Sequence, residues 1–317
     1  MSRKNLFLAA LLLFAGGASA GISDAGAGEP FDAQVELMEE RRGRRLYEVR
    51  FPSPVRSGFG ANDTVWGRFY VPGGADRPES KALPPCVLLL PVMAAPNLWI
   101  ETCFAGELVR RGFSVFIIEL PYQFHRRPNA LIPSGQVFLA RTPERLAFNF
   151  RQAVLDSRRA ISWLERSGRV DPKRISVLGI SLGALVGSVV LSLDGRLKGG
   201  VFVLGGADFP SLLTRSSMTG ATLSRLGLSS RELSRAFRGL DPIEFADRNR
   251  DKRVLLLNVR SDTVIPLENA RALQRAFPSA RQVWLPLGHY SAMLHLLWIP
   301  SYVAKRLQAL ESGADFP

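Results

Sequence analysis

The chain has 317 residues, 46% of them hydrophobic, and a formal charge of +13. That is enough apolar side chain to bury one large core, and it excludes a disordered or fibrous polypeptide. With only Cys86 and Cys103 present, a disulfide-rich scaffold is excluded as well.

In chain order, the first pattern is that of a secretory signal. Arg3 and Lys4 precede an apolar run from Leu6 to Ala15, and Ala18-Ser19-Ala20 supplies small residues for cleavage. The run is too short to span a bilayer, and no later segment reads as transmembrane. No cysteine follows the cleavage site, so a lipid anchor is not expected. The expected organisation is a signal peptide over 1–20, an N-terminal extension over 21–43 and one domain over 44–317. The mature protein would be periplasmic or secreted.

Arg45–Phe51 and Thr64–Val71 alternate with period two, which predicts an antiparallel hairpin at a sheet edge. Short, nearly continuous apolar runs follow at Val87–Leu90, Ser114–Leu120, Ile175–Leu178, Gly200–Leu204, Val254–Val259 and Gln282–Leu285. Such runs predict buried parallel strands. The spacing predicts helices between them. One starts at Thr142-Pro143, a cap followed by proline at the first helical position, and runs toward Ser167 with Phe150, Val154, Ile161 and Leu164 as its apolar stripe. Eight strands alternating with helices predict an α/β fold, a mostly parallel sheet with helices on both faces. Two connections are longer than linkage requires. Residues 121–141 are rich in Pro, Arg and aromatics, and 207–250 reads as helical, a candidate small cap over a site.

The strongest motif is Gly179-Ile180-Ser181-Leu182-Gly183. Strand before and helix after turn this G-x-S-x-G into a nucleophile elbow, a sharp turn that holds a serine hydroxyl out at the top of a sheet. A serine hydroxyl needs a base. Of the three histidines, His289 lies on a loop beside Gly288 at a strand end. His295 reads as structural, and His125 lies on the loop after another strand, where it could line a site. The base needs an orienting carboxylate. Asp262 sits just past the buried strand Val254–Val259, where open α/β sheets build their sites. Its plainer reading is a turn former, and Asp208 is the rival acid.

The order Ser181, Asp262, His289, with Gly179–Gly183, Arg260–Pro266 and Leu287–Ser291 around them, resembles the α/β-hydrolase superfamily. Asp171-Pro172-Lys173-Arg174-Ile175 is similar to the branch of dienelactone hydrolases, acetyl-xylan-esterase-like enzymes and prolyl-oligopeptidase catalytic domains. The likeness spans about residues 44–310 and implies a Ser181–His289–Asp262 triad. It also implies an oxyanion hole from the backbone N–H groups of Leu182 and Met93. Pro91-Val92 stand where many members carry His-Gly, so the chain departs from the pattern at the second donor. Trp99, Tyr122, His125 and Leu213 are candidates for a substrate pocket.

No His, Cys and carboxylate cluster has metal-ligand spacing, and no loop is built to cradle phosphates, so no metal or cofactor is expected. Nucleic-acid binding has no motif behind it. The charge, +11 after loss of Arg3 and Lys4, could draw the protein to anionic envelope surfaces, with solvated faces the plainer reading. Cys86 and Cys103 are expected as buried free thiols. The leading function is a carboxylic-ester hydrolase acting on a small-molecule or polymer-linked ester. The alternatives are a peptidase or acyltransferase on the same triad, and a non-catalytic envelope binding protein that retains the fold.

Overall fold

Residues 29–41, 43–73 and 82–312 are described by the structure, a computed structural model. The expected signal peptide lies outside the described residues.

The core of the molecule is a twisted sheet. Its strands are β1 (Gln34–Arg41), β2 (Arg44–Pro52), β3 (Thr64–Pro72), β4 (Cys86–Leu90), β5 (Ser114–Ile118), β6 (Ile175–Ile180), β7 (Gly199–Val203), β8 (Arg253–Val259) and β9 (Arg281–Leu285). Their order is β1-β2-β3-β5-β4-β6-β7-β8-β9. The first three pair antiparallel, β3 joins β5 antiparallel, and from β5 to β9 every pairing is parallel. Every residue of β4, β5, β6 and β7 is buried. That is why these strands are continuous apolar runs: helices cover both faces. Successive residues feed opposite layers. Leu88 and Val177 pack with α2 (Pro143–Arg166), α3 (Leu182–Leu193) and α7 (Leu267–Ala276). Leu89 and Leu178 pack with α1 (Trp99–Arg110) and α8 (Ile299–Glu311).

The sheet has nine strands among the described residues, one more than the eight that the apolar pattern predicts. The addition is β1. It is exposed along nearly its whole length, and Glu36 and Glu40 face solvent with Leu37 and Met38. With no buried face it carries no alternation to detect, and its charges and the irregularity between Leu37 and Glu39 suit an edge.

Thr142 caps α2 as its sequence predicts, its hydroxyl accepting the Arg145 N–H at 3.3 Å. Between β7 and β8 lie α4 (Phe209–Arg215), α5 (Gly220–Arg225), α6 (Ser230–Ala236) and a 3₁₀ segment, Pro242–Asn249. Cys86 and Cys103 are free thiols, the first buried and the second only half-buried. No helix among the described residues is long and apolar enough to cross a membrane.

Candidate active site

β6 ends at Ile180 and α3 begins at Leu182, so Ser181 is the whole turn. It adopts φ 53°, ψ −114°, a conformation that costs about 1–3 kcal/mol in a non-glycine residue and persists only when its surroundings impose it. Here the Ser181 N–H donates to Val203 O at 2.9 Å, while its carbonyl accepts from the Ala184 and Leu185 N–H groups. The two flanking glycines are required by space. A Cβ at Gly179 would lie 2.2 Å from Gly183 O, and one at Gly183 would lie 2.1 Å from Leu90 O.

β8 and β9 run parallel to β6 and end on the same edge of the sheet, and the loops after them carry the other two groups. His289 Nε2 lies 3.1 Å from Ser181 Oγ. On the ring's other side, Nδ1 lies 2.9 Å from Asp262 Oδ2 and 3.1 Å from Oδ1. The ring is 8% exposed. Asp262 Oδ1 also accepts the Val264 and Ile265 N–H groups at 2.9 and 2.7 Å. Asp262 is therefore the turn former and the histidine's partner at once. With the carboxylate on Nδ1, the imidazole proton sits there and Nε2 is left free to accept the serine proton.

Asp208 does other work. It has φ 59° and caps α4, accepting the Ser211 N–H. His295 is half-exposed on a 3₁₀ turn, Ser291–His295, and accepts from Trp298 Nε1 at 3.1 Å.

An apolar cavity of about 60 Å³ opens against Ser181. Met93 and Leu182, the two candidate oxyanion donors, line it. Leu182 is the first residue of α3, where a helix leaves N–H groups without an intrahelical acceptor. The far wall comes from Phe138, from Phe150 of α2, and from Phe209, Leu213 and Phe237 of the segment between β7 and β8.

Of the four pocket residues expected from sequence, only Leu213 lines this cavity. Trp99 opens α1 and is 62% exposed. Tyr122 is fully buried, with its hydroxyl accepting from Arg145 at 2.7 Å. His125 is stacked on Trp66 at 4.4 Å, its Nδ1 bonded to Glu119 at 2.7 Å. Sequence reasoning missed Phe138 and Phe209. It took Phe150 as core stripe, and Phe237 falls in the 207–250 segment that it offered as a candidate cap. Residues 121–141, rich in aromatics, held the one sequence signal, Phe138; Phe209 had none. Among the described residues, no group of three His, Cys, Asp or Glu is placed to hold a metal ion.

No protein-family model and no curated protein matches the chain by sequence. Solved structures do match. An acetyl xylan esterase from Paenibacillus sp. R4 superposes with TM-score 0.64 at 18% identity, over 85% of this chain and 89% of that one. Acetyl xylan esterase 1 from Thermoanaerobacterium sp. JW/SL YS485 gives 0.65 at 16%, over 87% and 91%. An acylaminoacyl peptidase from Pyrococcus horikoshii gives 0.55 at 13%, over 90% of this chain but 41% of the peptidase. The fold is the α/β-hydrolase fold.

Proposed function

We propose that the chain is an exported serine hydrolase that cleaves carboxylic esters with a short apolar acyl group. One observation carries the reading: the unbroken hydrogen-bonded series Ser181 Oγ, His289 Nε2, His289 Nδ1, Asp262 Oδ2, at 3.1 and 2.9 Å, at the mouth of an apolar cavity.

In this mechanism His289 Nε2 takes the Ser181 proton as Oγ attacks the acyl carbon. Asp262 holds the ring and stabilises the imidazolium that forms. The Leu182 and Met93 N–H groups receive the negative oxygen of the tetrahedral intermediate, while the acyl chain lies in the cavity. His289 then hands its proton to the leaving alcohol. A water, deprotonated by the same ring, cleaves the acyl-enzyme and restores Ser181. The solved neighbours include esterases, which supports the ester reading. A peptidase is the second reading, favoured by the acylaminoacyl peptidase among the neighbours.

The test is labelling with a fluorophosphonate probe, together with hydrolysis of p-nitrophenyl butyrate and a matched p-nitroanilide. Wild type is expected to label and to cleave the ester, and Ser181→Ala to do neither while melting cooperatively. Unchanged turnover in Ser181→Ala refutes the assignment, and faster cleavage of the anilide moves it to the peptidase. The export part of the proposal rests on residues 1–20 alone. Expressed with that segment in a bacterial host, the protein is expected in the periplasm or medium with Gly21 at its N-terminus. Retention of Met1 overturns that part.

A further inference from the structure

The segment that departs from the usual pattern, Pro91-Val92-Met93, is held from both sides by two buried polar residues that the mechanism above does not use. Val92 N–H donates to Glu101 Oε1 at 2.9 Å, and Gln123 Nε2 donates to Val92 O at 2.8 Å. Glu101 and Gln123 are both 0% exposed. A trans peptide is planar, with its C=O and N–H pointing opposite ways. Gln123 therefore fixes not only the Val92 carbonyl but also the direction of the Met93 N–H on the other end of the same peptide.

The loop is also pressed onto the elbow. The Cβ that Gly183 lacks would lie 2.1 Å from Leu90 O and 2.8 Å from Pro91 O. Met93 then lines the cavity with Ser181 and Leu182.

The cost of this arrangement is visible. Glu101 Oε2 has no hydrogen-bond partner, which makes a buried carboxyl a poor choice for stability alone. Ala94, next to Met93, has φ 60°, and Tyr122 and Phe124, on either side of Gln123, have φ 63° and 41°. Left-handed conformations in non-glycine residues gather where a backbone is being held for a purpose. Gln123 is itself fixed, its Oε1 accepting the Leu120 N–H at 3.3 Å and the Tyr122 N–H donating to Asn62 Oδ1 at 2.9 Å.

We propose that Glu101 and Gln123 are positioning residues that clasp Val92 through the peptides on its two sides, Glu101 on Pro91–Val92 and Gln123 on Val92–Met93, and so aim the Met93 N–H at the oxygen of the tetrahedral intermediate. The clasp does the work of the residue pair that Pro91 and Val92 replace. This inference rests on the serine-hydrolase reading.

The experiment measures the rate of Ser181 labelling by a fluorophosphonate, whose phosphoryl oxygen needs the same donors. It also measures kcat and KM for p-nitrophenyl butyrate per labelled site, and the inhibition constant of a trifluoromethyl ketone. Complete loss of an oxyanion donor costs on the order of 10²–10³ in turnover. Glu101→Leu and Gln123→Leu are expected to lose at least about tenfold in labelling rate and kcat. KM should stay within about threefold, and the ketone should weaken by the same factor as kcat/KM. Glu101→Gln keeps an acceptor for Val92 N–H and should stay within about threefold of wild type. If a leucine variant fails to melt cooperatively, Glu101→Met or Gln123→Met at the same position, nearly the same length and without the hydrogen-bonding group, takes its place. Normal labelling and ketone affinity per folded molecule in the clasp variants overturn the proposal. So does a loss confined to KM, or an equal loss in Glu101→Gln. Wild type that labels but cleaves no ester refutes the ester reading while the labelling rates still decide the clasp. Wild type that does not label overturns both.

Discussion

Asp262 carries two tasks on one side chain, and the variants at that position separate them. Asparagine keeps an oxygen for the Val264 and Ile265 N–H groups but gives His289 Nδ1 a neutral partner, in which the wrong tautomer is as acceptable as the right one. Asp262→Asn is therefore expected to melt close to wild type while kcat falls by up to about 10⁴. Asp208→Asn, at a helix cap, is expected to change turnover by less than about threefold. The larger loss at Asp208 would move the acid to that position. Glu101 offers a pH-dependent counterpart. Burial raises its carboxyl from 4.5 to about 7. The fold therefore favours the protonated form. Its contribution is fully present below about pH 4.5 and is lost as pH rises through about 7. Linkage puts the loss at up to about 3 kcal/mol. Glu101→Gln cannot ionise, so its stability relative to wild type should improve by that order between pH 4 and pH 8. Urea unfolding at the two pH values measures it, and a constant difference would mean that burial does not raise the Glu101 pKa above its unfolded value. The positions of Ser181, Asp262 and His289 at strand ends were legible because each follows an apolar run. Glu101 and Gln123 were not, because a buried polar residue in a helix or loop has no sequence sign of what it touches.

At the scale of elements, the glycines on helices separate close packing from mere permission. Gly183 on α3 has backbone oxygens of Leu90 and Pro91 where a Cβ would go, whereas Gly106 on α1 has nothing within 4 Å. Gly183→Ala is expected to prevent folding or to displace the elbow, with loss of both soluble protein and Ser181 labelling. Gly106→Ala should stabilise by about 0.5–1 kcal/mol, since alanine gives up less backbone freedom in a helix. A thermal melt of each variant checks both, and a stable, active Gly183→Ala would remove the steric account of the elbow. The strands of the sheet centre were legible to within a residue or two at most ends. β1 was not, because a strand exposed on both faces has no period to read. Its pairing with β2 also brings glutamates to the arginines of residues 41–45. Arg41 and Arg44 meet Glu39 at 2.6 and 3.1 Å, and Arg45 meets Glu40 at 2.8 Å. These exposed pairs contribute little to stability, but they blunt what the linear sequence presents as a bare basic run.

For the whole molecule, the decisive relation is between the sheet, which presents Ser181, and the chain that closes over it. The aromatics that wall the cavity come from three separate stretches: Phe138 after β5, Phe150 on α2, and Phe209 and Phe237 between β7 and β8. Convergence of that kind is a tertiary fact, which is why the sequence suggested a covered site but, apart from Leu213, named other side chains than those that line this cavity. The cavity's size sets a substrate limit. A cavity of about 60 Å³ has room for a short acyl chain and not for a long one. Each buried methylene contributes about 0.8 kcal/mol, or roughly fourfold in kcat/KM. Along p-nitrophenyl acetate, butyrate, hexanoate and octanoate, kcat/KM should climb about fourfold per methylene. It should break between butyrate and hexanoate, because longer chains no longer fit. Leu213→Trp adds bulk to the cavity lining without replacing Ser181, Asp262 or His289. In that variant the break should move down to acetate, with acetate turnover within about threefold of wild type and butyrate reduced at least about tenfold. An unchanged chain-length profile in Leu213→Trp would mean that the acyl group lies elsewhere and that this cavity is packing space.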